Sequence, residues 1–160
     1  MTMKFEKATL NDINDLTQMR IDFLLEDYKT LSDEQIETMR SSLPAYYTNH
    51  LNKDLIVYTA KAPELIACAF LLVTEKPSNP SFINGRTGTI LNVYTKPEYR
   101  RQGIAKTLME HLLEEGKDLG LDFVELKATE DGYPLYQAVG FHEEHSKYRD
   151  MKFVFFLTKS

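Results

Sequence analysis

"PEYRRQGIAKTLMEHLLEEG", residues 97–116, holds the decisive pattern of this chain. Two adjacent arginines, Arg100 and Arg101, lead through Gly103 into an apolar stripe of Ile104, Leu108 and Leu112, which Leu119 continues. That spacing predicts a helix over 102–119, and Gly120 suits its C-terminal cap. A helix starts with N–H groups that lack an intrahelical acceptor, and its dipole puts partial positive charge at that end. Gly103 lets a partner approach the backbone closely, while Arg100, Arg101 and Lys106 add cationic side chains. The turn reads as an anion site suited to a pyrophosphate, with a solvated basic loop as the alternative. Neither Gly-x-x-x-x-Gly-Lys-Ser/Thr nor Gly-x-Gly-x-x-Gly occurs, so the two commonest nucleotide loops are excluded.

Upstream, "KFEKAT" alternates like a short strand. Ile13, Leu16, Met19 and Phe23 recur at helical spacing, with Asn11 as the expected N-cap. "SDEQIETMRSSL" begins with Ser32 and Gln35 in a capping-box pattern and predicts a second helix, with Ile36, Met39 and Leu43 inward. "DLIVYTAKA" and "LIACAFLLVTE" read as a hairpin turning at Ala62, Pro63 and Glu64. After a loop over 75–88, "GTILNVYTK" is a strand that leads into the arginine turn. Downstream, "DFVELKAT" is a strand, "GYPLYQAVG" a short helix closed by Gly140, and "MKFVFFLTK" a last strand. The order is β-α-α-β-β-β-α-β-α-β, which is an α/β or α+β mixed sheet with helices packed on it.

The 160 residues suit one domain spanning 1–160. No run approaches a membrane span, and the N-terminus lacks the look of a signal peptide. A single cysteine, Cys68, permits no internal disulfide, which fits a cytoplasmic protein, and its place in an apolar run predicts a buried, inert thiol. The net charge of −5 argues against a nucleic-acid surface. Residues 11–40 carry eight acids against three bases, whereas residues 96–106 carry four bases against one acid. The acidic segment either attracts a cationic acceptor or serves solubility.

"RRQGIA" (100–105) resembles the Arg/Gln-x-x-Gly-x-Gly/Ala signature of the GNAT superfamily of N-acetyltransferases. "PLYQAVGF" (134–141) resembles that superfamily's second hallmark, and the element order is also similar. The resemblance implies a mixed, mostly antiparallel sheet of about six or seven strands flanked by about four helices. It implies acetyl-CoA as co-substrate, no metal, and direct transfer to a primary amine of a small molecule or protein. The backbone N–H groups of Arg101, Gln102, Gly103, Ile104, Ala105 and Lys106 would cradle the pyrophosphate, with Arg100 opening the signature. The backbone of Val93, Tyr94 and Thr95 would pair with the pantetheine arm, where the family's strands splay, and a strand N–H near Val93–Tyr94 would face the oxyanion. Tyr136 would be the general acid that protonates the departing thiolate. Thr129 stands seven residues earlier, where many members have a cofactor-contacting asparagine. Many relatives dimerise through their C-terminal strands. No nucleic acid or membrane partner is implied. A non-catalytic acyl-CoA-binding module is the alternative function.

The residues suggest no further chemistry of comparable specificity. Glu26, Asp27 and Glu125 are the acids placed to deprotonate an incoming amine, although each also reads as a surface charge. Tyr46, Tyr47 and Phe82 either line an acceptor pocket or pack. His142 and His145 are three apart rather than the four of a zinc-protease helix.

Overall fold

A computed structural model describes residues 2–156. They fall into two units, one ending at Lys127 and one starting at Ala128. The first holds strands β1 (Lys4–Lys7), β2 (Leu55–Lys61), β3 (Leu65–Glu75), β4 (Arg86–Thr95) and β5 (Val124–Glu125). Its helices are α1 (Ile13–Tyr28), α2 (Asp33–His50) and α3 (Ile104–Asp118). The second unit holds α4 (Tyr133–Ala138).

The sheet runs β1-β2-β3-β4-β5, antiparallel through β4, with β5 parallel to β4 after the α3 crossover. Strand alternation sorts the helices onto its two faces. Val57 packs in a buried cluster with Leu16 and Met19 of α1 and Tyr47 of α2. Its neighbour Tyr58 points the other way, donating to Glu115 of α3 at 3.1 Å and stacking on His111 at 4.9 Å. Leu108, Met109 and Leu112 of α3 are fully buried. Truncating one such leucine to alanine costs about 2–5 kcal/mol, so both layers are firmly held. No helix among the described residues is long and apolar enough to cross a membrane.

Several boundaries differ from the sequence expectation. Thr9, not Asn11, caps the entry to α1, through a short 3-10 turn at Leu10–Asp12. Thr9 N–H donates to Asp12 Oδ2 at 2.9 Å while Thr9 Oγ1 accepts from Asn11 N–H at 3.3 Å. The Ser32–Gln35 capping box forms as expected. Helix α2 runs past Leu43 through Pro44 to His50. The sheet has five strands among the described residues rather than six or seven. The strand expected over 122–129 shrinks to Val124–Glu125, because Asp122 folds back onto the preceding hairpin and accepts N–H bonds from Asn84 and Arg86. Residues 151–156 lie in no strand, and Met151, Phe153, Phe155 and Phe156 are exposed. Strand-forming composition supplies two faces but no ladder partner. Residues 157–159 of that expected strand lie outside the described residues.

Candidate functional site

The site begins with an irregularity in β4. Leu91 and Tyr94 both pack toward the α1 and α2 face, although three positions apart. Regular alternation forbids this, and a β-bulge resolves it. Phe70 pairs with Leu91 and Cys68 with Tyr94, so β4 carries one more residue than β3 over that interval. Asn92 absorbs it with φ +50°, a left-handed conformation that asparagine tolerates better than most residues. Its side chain is buried and donates to Cys68 Sγ at 3.5 Å. Beyond the bulge the strand has a free side. β5 pairs with β4 only at Gly88 and Thr89, so the edge from Ile90 to Thr95 has no strand partner there among the described residues. Val93, Tyr94 and Thr95 all lie on that open stretch.

The chain then turns through Pro97–Tyr99 and Arg100 into α3. Arg101 and Gly103 take φ of +64° and +77°. A Cβ built on Gly103 would meet nothing within 4 Å, so its glycine answers to backbone conformation and an open approach, not to internal crowding. The first helical bond runs from Thr107 N–H to Gly103 O at 3.1 Å. Ahead of it, the N–H groups of Arg101, Gln102, Gly103, Ile104, Ala105 and Lys106 have no acceptor among the described residues. Arg101, Gln102, Gly103 and Lys106 are exposed. Six consecutive donors at a helix start, on an exposed turn, suit the oxygens of a pyrophosphate.

The Arg100 side chain is tied to its surroundings. Its Nε donates to Thr95 O at 2.8 Å, one of its terminal nitrogens reaches both carboxylate oxygens of Glu26 at 2.8 and 3.0 Å, and its guanidinium lies 5.4 Å from the Tyr94 ring centre. The arginine thus fastens the end of β4 to α1. Arg101 and Lys106 are the exposed cations at the turn.

In the second unit, α4 ends in a Schellman motif that accounts for "LYQAVGF" residue by residue. Gly140 N–H bonds to Gln137 O at 3.1 Å and Phe141 N–H to Tyr136 O at 2.9 Å. Gly140 has φ +109°, and the Tyr136 and Phe141 rings meet edge to face at 6.2 Å. Thr129 Oγ1 accepts from Gly132 N–H at 3.1 Å, and Thr129 O accepts from Tyr133 N–H, which starts α4. A Cβ on Gly132 would lie 2.8 Å from the Tyr136 ring and 3.2 Å from Thr129 Oγ1, so glycine lets the ring lie against the backbone. Burial pushes the Tyr136 hydroxyl above the usual tyrosine range.

The remaining candidates resolve unevenly. Tyr47 is fully buried in the core and donates to Leu16 O at 3.5 Å, so it packs. Tyr46 stacks on His50 at 4.5 Å. Phe82 holds a loop, edge-on to Phe123 with Lys76 over its ring. Cys68 is buried, and burial pushes its thiol up to about 12. Of the three acids, Glu26 is held by Arg100, whereas Asp27 and Glu125 are exposed. Among the described residues no three of His, Cys, Asp and Glu are grouped to hold a metal ion. Two residues escaped the sequence reading. Asn92 had a usable signal, a turn-former inside a β-branched strand. Arg20, whose guanidinium reaches Asn92 Oδ1 at 3.4 Å, had none, because 72 residues separate the pair.

The model of the acetyltransferase (GNAT) family matches residues 16–141. A 58-residue stretch is 34% identical to the [ribosomal protein bS18]-alanine N-acetyltransferase of Escherichia coli K12, covering 34% of this chain and 39% of that relative's length. A crystal structure of a predicted acetyltransferase from Clostridium acetobutylicum, with acetyl-CoA, superposes with a TM-score of 0.81 at 28% identity, over 94% of this chain and 96% of that one. A GCN5-related N-acetyltransferase from Ralstonia eutropha JMP134 has a similar fold, with a TM-score of 0.77 at 23% identity, over 94% and 99% of the two chains.

Proposed function

The chain belongs to the acetyltransferase (GNAT) family, and from that premise we propose that it transfers the acetyl group of acetyl-CoA directly to a primary amine of a small molecule or a protein. One observation carries the reading: six consecutive N–H groups, 101–106, stand without acceptors beside an open strand edge. The Clostridium acetobutylicum neighbour with acetyl-CoA supports the choice of co-substrate. The E. coli relative, named for an alanine of a ribosomal protein, keeps a protein amine among the acceptors. The family match crosses both units, which supports treating 1–160 as one working domain.

Acetyl-CoA, when bound, supplies an activated thioester carbonyl. The turn N–H groups bind its pyrophosphate, with the side chains of Arg101 and Lys106 adding charge. The main chain of Val93, Tyr94 and Thr95 takes the pantetheine amides as an added strand, although Thr95 O already accepts from Arg100. An N–H beside the bulge is a donor for the carbonyl oxygen as charge develops on it. Tyr136, kept protonated by burial, donates its hydroxyl proton to the departing thiolate. Arg100 serves as a brace and Thr129 as the cap of α4.

Calorimetric titration with acetyl-CoA, with CoA and ATP as controls, tests the binding half. Binding of both CoA species and not ATP is expected. Failure of acetyl-CoA to bind would leave a solvated basic loop. Release of free CoA with a panel of amines then tests the transfer.

A further inference from the structure

Arg20 sits on α1, half-buried, and its guanidinium reaches over β4 at the bulge. Its recorded contact is Asn92 Oδ1 at 3.4 Å, a long bond for one of five donors. No carboxylate lies within ion-pair distance of it among the described residues. Four acids on and around α1 have other partners, while Asp15 and Asp27 are exposed. Asp12 holds Lys61 at 2.8 Å, Asp22 accepts from Gln18, Glu26 holds Arg100, and Asp54 holds His50. What Arg20 faces instead is neutral. Its charge acts on the Tyr46 and Tyr47 hydroxyls and the Cys68 thiol, drawing each downward against the larger effect of burial.

A partly desolvated guanidinium that meets only neutral groups is an incomplete ion pair. Its place narrows what completes it. Arg20 touches Asn92, and the next residue, Val93, lies on the open edge of β4. Under the proposed function, that edge presents the acetyl group. A guanidinium next to it is within reach of a short acceptor, and its planar fork matches a carboxylate.

We propose that the acceptor amine carries a carboxylate, as an amino acid or short amino acid-like molecule does, and that Arg20 is its anchor. The inference rests on the acetyl-transfer reading and adds the acceptor class. Of the two readings of the acidic segment, it favours solubility over attraction of a cationic acceptor. The acids of 11–40 favour a cation on charge balance alone, but Asp12 and Glu26 are ion-paired, Asp15, Asp27, Asp33 and Glu34 are exposed to solvent, and the unmatched charge at the bulge is positive.

The test pairs each amino carboxylate with its own carboxamide, using 4-aminobutanoate, 5-aminopentanoate and glycylglycine, with CoA release as the readout. Wild-type protein is expected to favour the carboxylate by about tenfold or more in kcat/KM. Arg20→Met keeps the apolar stem and is expected to erase that preference by lowering kcat/KM for each carboxylate to about that of its carboxamide. Arg20→Lys is expected to restore part of it. Equal use of carboxylates and carboxamides by the wild type overturns the anchor and leaves the acetyltransferase reading standing. So does an Arg20→Met variant, shown folded by its thermal transition, that lowers both acceptors alike. Absence of acetyl-CoA binding would instead remove the underlying function, and the anchor with it.

Discussion

Gly103 and Gly140 both take a positive φ at a helix end, yet the two turns treat main-chain polarity in opposite ways. Ahead of α3, Gly103 opens a turn whose six N–H groups find no acceptor. After α4, Gly140 closes a turn in which Gly140 and Phe141 donate back to Gln137 and Tyr136. Donors left unpaired on an exposed surface are available to a molecule from outside. A turn that pairs its own groups fixes a side chain, and here the side chain is Tyr136. A glycine at a helix end is one signal in the sequence. Only an account of which polar groups remain unpaired separates a binding turn from a bracing one.

The sharpest way to break the contrast is Tyr136→Phe. It removes the proposed acid while leaving the donors of the first turn untouched. We expect kcat to fall by about 10²–10⁴-fold with acetyl-CoA affinity unchanged. Full activity would strip Tyr136 of that role and leave the second turn purely structural. The same hydroxyl sets a pH expectation. Because burial raises it, the group stays protonated through neutral pH, and the alkaline fall in kcat that it causes lies above the usual tyrosine range. A fall centred well below that belongs to another group.

Gly103→Glu attacks the first turn, placing a carboxylate of the same sign as the pyrophosphate among the donors and forcing a side chain to positive φ. Acetyl-CoA affinity is expected to drop by about a hundredfold, read by calorimetry. Unchanged affinity would take the pyrophosphate away from this turn. Gly140→Ala separates strain from function. A Cβ there meets nothing within 4 Å, so conformation alone is charged, at about 1–2 kcal/mol of stability. Thermal unfolding should register it, and acetyl-CoA affinity should not. The smallest effect belongs to Glu26→Gln. The Glu26–Arg100 pair is about half exposed, so it is worth under about 1 kcal/mol. The KM for acetyl-CoA should rise a few-fold, and added salt should shrink the difference. A large effect would promote Glu26 from brace to participant.

Much of this was legible from local pattern. The stripe of α3, the Ser32–Gln35 capping box and the hairpin at Ala62–Glu64 each follow from residues close in sequence, so spacing alone revealed them. The short β5 and the unpaired 151–156 segment were not legible, because a strand depends on a partner that alternation cannot name. At the site, the arginine turn was readable, but the commitments of its side chains were not. Arg100 meets Glu26 across 74 residues, and Arg20 meets Asn92 across 72. Thr129 was expected to face the cofactor on its position alone, and nothing in the spacing showed that its hydroxyl oxygen accepts an N–H from Gly132, three residues on.

The bulge in β4 has a consequence in parity. Between Leu91 and Tyr94 the strand counts three steps where its partner counts two. Remove Asn92 and the counts agree, with Tyr94 still on its own side, because two steps from Leu91 restore the face that three steps reach only through the bulge. The sheet can therefore be written one letter shorter without turning a core side chain outward. A chain lacking Asn92 should still unfold cooperatively, while losing the displaced main-chain donor and, with it, turnover. If such a chain fails to fold, the additional residue belongs to the architecture; if it folds and is silent, the sheet carries that letter for the chemistry alone.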